Sequence, residues 1–287
     1  DDRLAVQFLM SPQSFYDGHY PGRLIRGVTL AGALVTDWGY VVATVQDNQH
    51  GLKRFADEVG AQFVLQVGNT NQDVDWRLDP LALVSSEVPI RGRGLIVHQE
   101  FDSEGLFGYS APVHRGGRVA SFVNCFRSTP CIRWFDETAV ALPGWRFDEY
   151  GIDGQDGNIQ PISDIAAIMR EATFGWHDKV QGDGFGHVIH MWAAVGRPIV
   201  GHSSHYHGLT AAPFWSDLVT CIDLDRHSTE EVAHLMREIV ADPPRHEAMC
   251  RAIRAKFDEL VDYDAEASSV RDFLGLPAVT IGQGTAA

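Results

Sequence analysis

Strand-like and helix-like apolar segments alternate along this chain with glycines at the joints, and this rhythm constrains the fold more than any other feature. Residues 4–10, LAVQFLM, form an apolar run of strand length, and the polar loop SPQSFYDGHYPGR follows. LIRGVTLAGALVTDW (24–38) then sets Leu24, Val28, Leu30, Ala31, Leu34 and Val35 at helical spacing, which predicts a helix that stops at Gly39. YVVATV (40–45) is β-branched enough for a buried strand. Strand, glycine loop, helix, glycine stop and strand make a βαβ unit, and such a unit implies a parallel sheet.

The same rhythm continues through a short helix, GLKRFADEVG (51–60), and three strand-like runs, AQFVLQV (61–67), ALVSS (82–86) and GLIVHQE (94–100). The loop-like, glycine-rich segment SEGLFGYSAPVHRGGR (103–118) interrupts it, and the pattern then restarts. Strands are expected at VASFVNCF (119–126), WRFDEYGI (145–152), TFGW (173–176), RPIVGH (197–202) and VTCIDLD (219–225), with a helix at SDIAAIMREA (163–172). Ser228-Thr229-Glu230-Glu231 reads as a capping box opening the helix TEEVAHLMREIVA. Pro243-Pro244 precede a long amphipathic helix with Met249, Ile253, Phe257 and Leu260 on one stripe, and ASSVRDFLGL predicts a last short helix. The expected organisation is two α/β units in series, 1–115 and 116–287, with a cleft between them. Ligands of parallel sheets gather at the carboxyl ends of strands.

With 287 residues, 45% of them hydrophobic and 21% charged, the chain has the composition of a soluble globular protein long enough for two such units. No run approaches the ~20 apolar residues of a membrane span. The 38 acidic residues outnumber the 23 basic ones, for a net charge of −15, so most of the surface repels a polyanion and general nucleic-acid binding is not expected. Cys125, Cys131, Cys221 and Cys250 form no CxxC pair and read as reduced thiols of a cytoplasmic protein.

The most pointed stretch is WHDKVQGDGFGHVIHMWAAVGRPIVG (176–201). Gly182, Gly184 and Gly186 surround Asp183 and Phe185 at the mouth of a helix that begins near His187. Helix N-termini present unpaired N–H groups and a partial positive charge, so an anion docks there readily; the plainer alternative is a tight turn packing a helix on a sheet.

The order of these motifs resembles the GT-B glycosyltransferases, in particular retaining, glycogen-synthase-like members. Two stretches carry the likeness: TFGWHDKVQGDGFGHVIHMWAAVGRPIVG with the segments after it up to LVTCIDLDRHSTEEVAHLMREI, and LAVQFLM…GHYPGRLIRGVTLAGALVTDWGYVVATV. The resemblance implies two Rossmann-like domains facing a cleft, an acceptor domain followed by a nucleotide-sugar donor domain. It implies sugar transfer from a nucleoside diphosphate sugar to an acceptor hydroxyl, with no cofactor and no obligatory metal. In that family a first acidic residue contacts the donor sugar and a second, eight positions on, contacts the ribose. The first matches Asp183, whereas Met191 stands at the second, and both retention and inversion stay open.

The resemblance puts the diphosphate at Arg127, Lys179 and the run Gly184, Phe185, Gly186 and His187, because a departing diphosphate gains charge that fixed cations stabilise. His98 and Glu100, at a strand end of the first unit, are candidates to orient or deprotonate an acceptor. Asp17, Gly18, His19, Asp47, Asn69 and His202 are candidate cleft residues; Asn48, Gln99 and His205 share their surroundings. Arg197, before a proline, more simply ties down a turn. Two other functions stay open: a metal-dependent hydrolase built on the histidines of 187–207, and a non-catalytic sugar-nucleotide binder. The first lacks the HExxH pattern of a zinc helix.

Overall fold

The computed structural model describes residues 5–8, 25–28, 37–44, 46–68, 73–85, 93–112, 116–180 and 183–276. Three strand groups appear among them, all parallel. Strands β1 (Ala5–Phe8) and β2 (Ile25–Val28) pair with each other. Strands β3 (Tyr40–Ala43), β4 (Gln62–Val67), β5 (Leu81–Val84) and β6 (Arg93–Ile96) form a four-stranded sheet in chain order. Helix α1 (Gln49–Val59) crosses from β3 to β4, and Gly60 closes it in the left-handed conformation.

Strand β2 corrects the helix expected over 24–38. Helical spacing of small and aliphatic residues is weak evidence where β-branched Ile25 and Val28 bracket the run and a parallel partner is present; residues 29–36 lie outside the described part. The polar end of GLIVHQE also falls outside its strand, because β6 stops at Ile96.

The second sheet contains β7 (Arg118–Ser121), β8 (Arg146–Glu149), β9 (Phe174–Trp176), β10 (Ile199–Gly201) and β11 (Cys221–Asp223), in the order β11-β10-β9-β7-β8. Its helices are α2 (Ile132–Ala141), α3 (Ile162–Glu171), α4 (His187–Val195), α5 (Thr229–Ala241) and α6 (Pro243–Leu260). The expected strand 119–126 is shorter, with a 3-10 turn at Phe126–Ser128, and helix α2 was not anticipated. The capping box of Ser228 and Glu231 forms as its spacing predicts.

Apolar cores cover both faces of this sheet, which is why its strands read as unbroken apolar runs. Ala120, Ile199 and Cys221 point to one core with Trp192, Ile253 and Phe257; their neighbours Val119, Val200 and Ile222 point to the other with Trp176, Val232 and Met236. The first sheet has its own core around Phe55, Phe63, Leu65 and Val84. The strands of the two larger sheets thus separate in the chain between Ile96 and Arg118. Helix α7 (Tyr263–Leu274) returns to the first sheet, where Tyr40 donates to the Leu274 carbonyl and Arg93 to that of Phe273 at 3.4 Å. Among the described residues no helix is long and apolar enough to cross a membrane.

Candidate functional site at the facing strand ends

Strand order locates the site of the second sheet. The chain passes from β7 to β8 on one side and then crosses to β9 on the other, so the topological switch falls between β7 and β9, where open parallel sheets leave a crevice. The segments leaving those two strands hold Arg127 and His177-Asp178-Lys179.

The carboxyl ends of the first sheet meet this edge. The loop before α4 packs on Gly68, just after β4, where the Phe185 ring would lie 3.0 Å from a β-carbon. Beyond β5, the Ser85 carbonyl accepts from Thr210 N–H at 3.1 Å. Beyond β6, the His98 ring meets His190 of α4 edge-on, with centroids 5.1 Å apart.

The glycines of the loop have separate causes. Gly184 must be glycine because a β-carbon there would overlap the carbonyl of Gly68. Gly186, at the N-cap of α4, has φ +58 and leaves only 2.7 Å between an added β-carbon and that of Ala211. Gly182 lies outside the described residues. As a result Gly184 and Phe185 are buried against Gly68 of the first unit and Gly186 against Ala211 of the second, while His187 at the helix start stays half-buried.

Asp183 is held by Lys179, whose Nζ stands 2.5 Å from Oδ1, and by His177, whose Nε2 is 3.4 Å from Oδ2. Burial alone would raise its pKa, but His177 and Lys179 outweigh it and keep the carboxyl well below the usual carboxylate range. Arg127 pairs with Glu149 at the end of β8 and approaches Asp136 at 3.8 Å. Burial pushes the Glu149 pKa up, while Arg127 opposes the shift.

His98 is clamped by α7: its Nδ1 lies 2.6 Å from Glu266 Oε1, and its N–H donates to Oε2 at 2.8 Å. Glu100 and Asp47 are exposed, the latter in the 3-10 turn Gln46–Asn48. Asp17, Gly18, His19 and Asn69 lie outside the described residues. Met191 is buried in the core of α4.

Four of the five histidines of 187–207 divide into two groups. His187 packs on Phe101 and His190 on Phe214, and burial lowers their pKa values to about 4 and about 3. His202 and His205 instead donate from Nδ1 to Asp178 at 2.9 and 3.0 Å, and the His202 ring meets Trp134 edge-on at 5.0 Å. The run therefore does not converge on one point.

Arg197, fully buried, donates to the carbonyls of Ala172, Arg170 and Ser110 at 2.8, 2.6 and 2.8 Å and so ties the connecting segment to the second sheet. Sequence reasoning missed Asp178, His177, Cys131 and Glu266. The signal for the first two was present, since a polar pair follows the apolar strand FGW directly; Glu266 had none.

No family model and no curated protein matches the chain. Solved structures do, at low identity. HepE from Anabaena in complex with UDP and glucose shares 12% identity over 92% of this chain and 88% of that one, with a TM-score of 0.71. The same protein with UDP-glucose gives 0.69. Sucrose-phosphate synthase from Thermosynechococcus elongatus shares 12% over 82% of this chain and 72% of its own, with a TM-score of 0.60. The chain has the two-unit GT-B fold of these proteins.

Proposed function

From the GT-B fold as premise, we propose that this protein is a glycosyltransferase that moves a sugar from a nucleoside diphosphate sugar to an acceptor hydroxyl. Residues 1–115 present the acceptor and 116–287 hold the donor. The observation that carries the reading is the switch point of the second sheet, where the loop before α4, with Asp183 paired to Lys179, closes on the end of β4. The complexes of HepE with UDP and UDP-glucose, on the same fold, agree with it.

In this reading Arg127, Lys179 and the N–H groups at Gly184, Phe185 and His187 take the diphosphate, while the Gly186 N–H donates to the Asp183 carbonyl and shapes the turn, and Asp183 takes the sugar hydroxyls. Side-chain cations answer the charge that develops on the leaving group, so the hexosyl transfer step draws on no metal and on no cofactor beyond the donor. His98 accepts the acceptor proton through Nε2, with Nδ1 held by Glu266, an orienting carboxylate behind a base. Glu100 and Asp47 line the acceptor side, and His202 the donor side. Since Gly184 rests on Gly68 and Lys179 on Asp183, donor entry requires the two units to part and the Lys179 pair to exchange for phosphate. Chemistry here is positioning and leaving-group stabilisation, with water excluded on closure.

A panel of UDP-, GDP- and ADP-sugars in a thermal-shift assay tests this directly, followed by release of free nucleoside diphosphate. One donor class should raise the melting temperature and turn over slowly even with water as acceptor. No shift with any nucleotide sugar at millimolar concentration would end the reading.

A further inference from the structure

We propose that Cys131, Asp178 and His205 form a binding site for a divalent cation of the zinc type. Their ligand atoms all lie within 4.8 Å of one another, and among the described residues they are a group of three whose donors differ in kind: thiol, carboxylate and imidazole. Three separate segments deliver them. Cys131 stands at the N-cap of α2, Asp178 two residues past the end of β9, and His205 in the 3-10 turn Ser203–Tyr206 after β10.

The chemistry favours a borderline cation. Sulfur and imidazole nitrogen with one carboxylate oxygen is a donor set that zinc accepts at four-coordinate sites, whereas calcium and magnesium want oxygen alone. Bonds of about 2.0–2.3 Å from a tetrahedral centre put ligand atoms roughly 3.3–3.7 Å apart. The Asp178–His205 pair already stands at 3.0 Å, so the closure required falls on the thiol, through rotation about the Cys131 side chain. His202 Nδ1, 2.9 Å from the other carboxylate oxygen, either orients Asp178 or completes the shell.

Burial sharpens the case. The Asp178 side chain is wholly inaccessible and Cys131 is 4% exposed, while His205 keeps 21% of its side chain exposed and gives the ion a way in. A carboxylate placed so deep needs strong compensation. Two imidazoles supply part of it, but they do not explain a thiol turned to the same point. The bound ion would brace the loops after β9 and β10 against α2. Sequence spacing could not reveal the site, because its members lie far apart in the chain and form neither CxxC nor HxxxH.

The readouts need no sugar nucleotide, so the site stands or falls apart from the transferase reading. Reduced protein, stripped with a chelator and dialysed, is titrated with Co²⁺ and then Zn²⁺. One equivalent of Co²⁺ should give tetrahedral visible bands and an intense near-ultraviolet thiolate band, both erased by Zn²⁺, and Zn²⁺ should raise the melting temperature reversibly. Cys131→Ser should abolish the near-ultraviolet band. His205→Ala, at a partly exposed position tolerant of change, should weaken Zn²⁺ affinity at least tenfold. Cys125→Ser, at an exposed cysteine, should alter neither. Absence of the band in the parent, its survival in Cys131→Ser, its loss in Cys125→Ser, or unchanged affinity in His205→Ala would each overturn the site.

Discussion

Gly184 lies against Gly68 so closely that the Gly68 carbonyl oxygen occupies the space a β-carbon on Gly184 would need. Two glycines from opposite halves of the chain thereby form the contact at which the units close. The carbonyl of Ser85 and the ring of His98 make the flanking contacts, to Thr210 and His190.

Gly184→Ala should therefore act at the join between units. The clash, with φ at +29, should cost about 1–3 kcal/mol and lower the melting temperature. X-ray scattering should report a larger radius of gyration, since parting the units relieves the overlap. An unchanged melting temperature and radius would mean that the two glycines do not meet in solution.

Arg127→Ala and Lys179→Ala should each weaken nucleoside diphosphate binding about tenfold, the worth of one charge-assisted contact. Calorimetric titration with UDP, or with the nucleotide found in the panel, measures it. Full affinity in both variants would remove these cations from the donor site.

Glu266→Gln should slow transfer by about 10²-fold while moving KM little, because His98 keeps its place in the fold but loses the carboxylate that orients it. The pH profile of kcat separates this from a structural role. If Glu266 only fastens α7, the variant should melt earlier with an unchanged profile.

Stability should fall in mild acid. Burial holds the pKa of His187 and of His190 at about 4 and about 3, below the ordinary value of 6.5. The unfolded chain then binds protons that the folded one refuses, so stability is intact above pH 6.5 and declines as pH falls toward 4. Each histidine contributes about 1.4 kcal/mol per pH unit across that window. Urea unfolding between pH 7 and 4.5 should show the slope, and His187→Gln with His190→Gln should flatten it.

Arg197→Met should cost about 3–5 kcal/mol, because it strands the carbonyls of Ser110, Arg170 and Ala172 without a donor. Arg197→Lys should recover less than half, since one ammonium cannot span the positions a planar fork reaches. Denaturant midpoints of the three proteins decide it.

The α/β rhythm of the second half was legible because its strands are buried on both faces and its helices carry their own stop signals: Gly196 after α4, and the capping box at Ser228 and Glu231 before α5. The segment 24–38 misled, as apolar spacing among small residues suits helix or strand until a partner strand decides, and Ile25–Val28 found one in Ala5–Phe8. Arg127, Lys179 and Asp183 became candidates through motif order, since the resemblance puts each near the end of a strand. Asp178, Cys131 and Glu266 were not, because what matters about them is a neighbour distant in the chain.

By itself, then, the sequence determined the alternation of elements, the two-unit plan and the glycines at the mouth of α4, all of which follow from local periodicity and backbone freedom. Tertiary structure alone decided that Gly184 closes on Gly68, that α7 returns to grip His98, and that Asp178 gathers two imidazoles and a thiol. Side-chain pairing across long stretches of chain is set by how the sheets and helices pack, and no periodicity in the sequence encodes it.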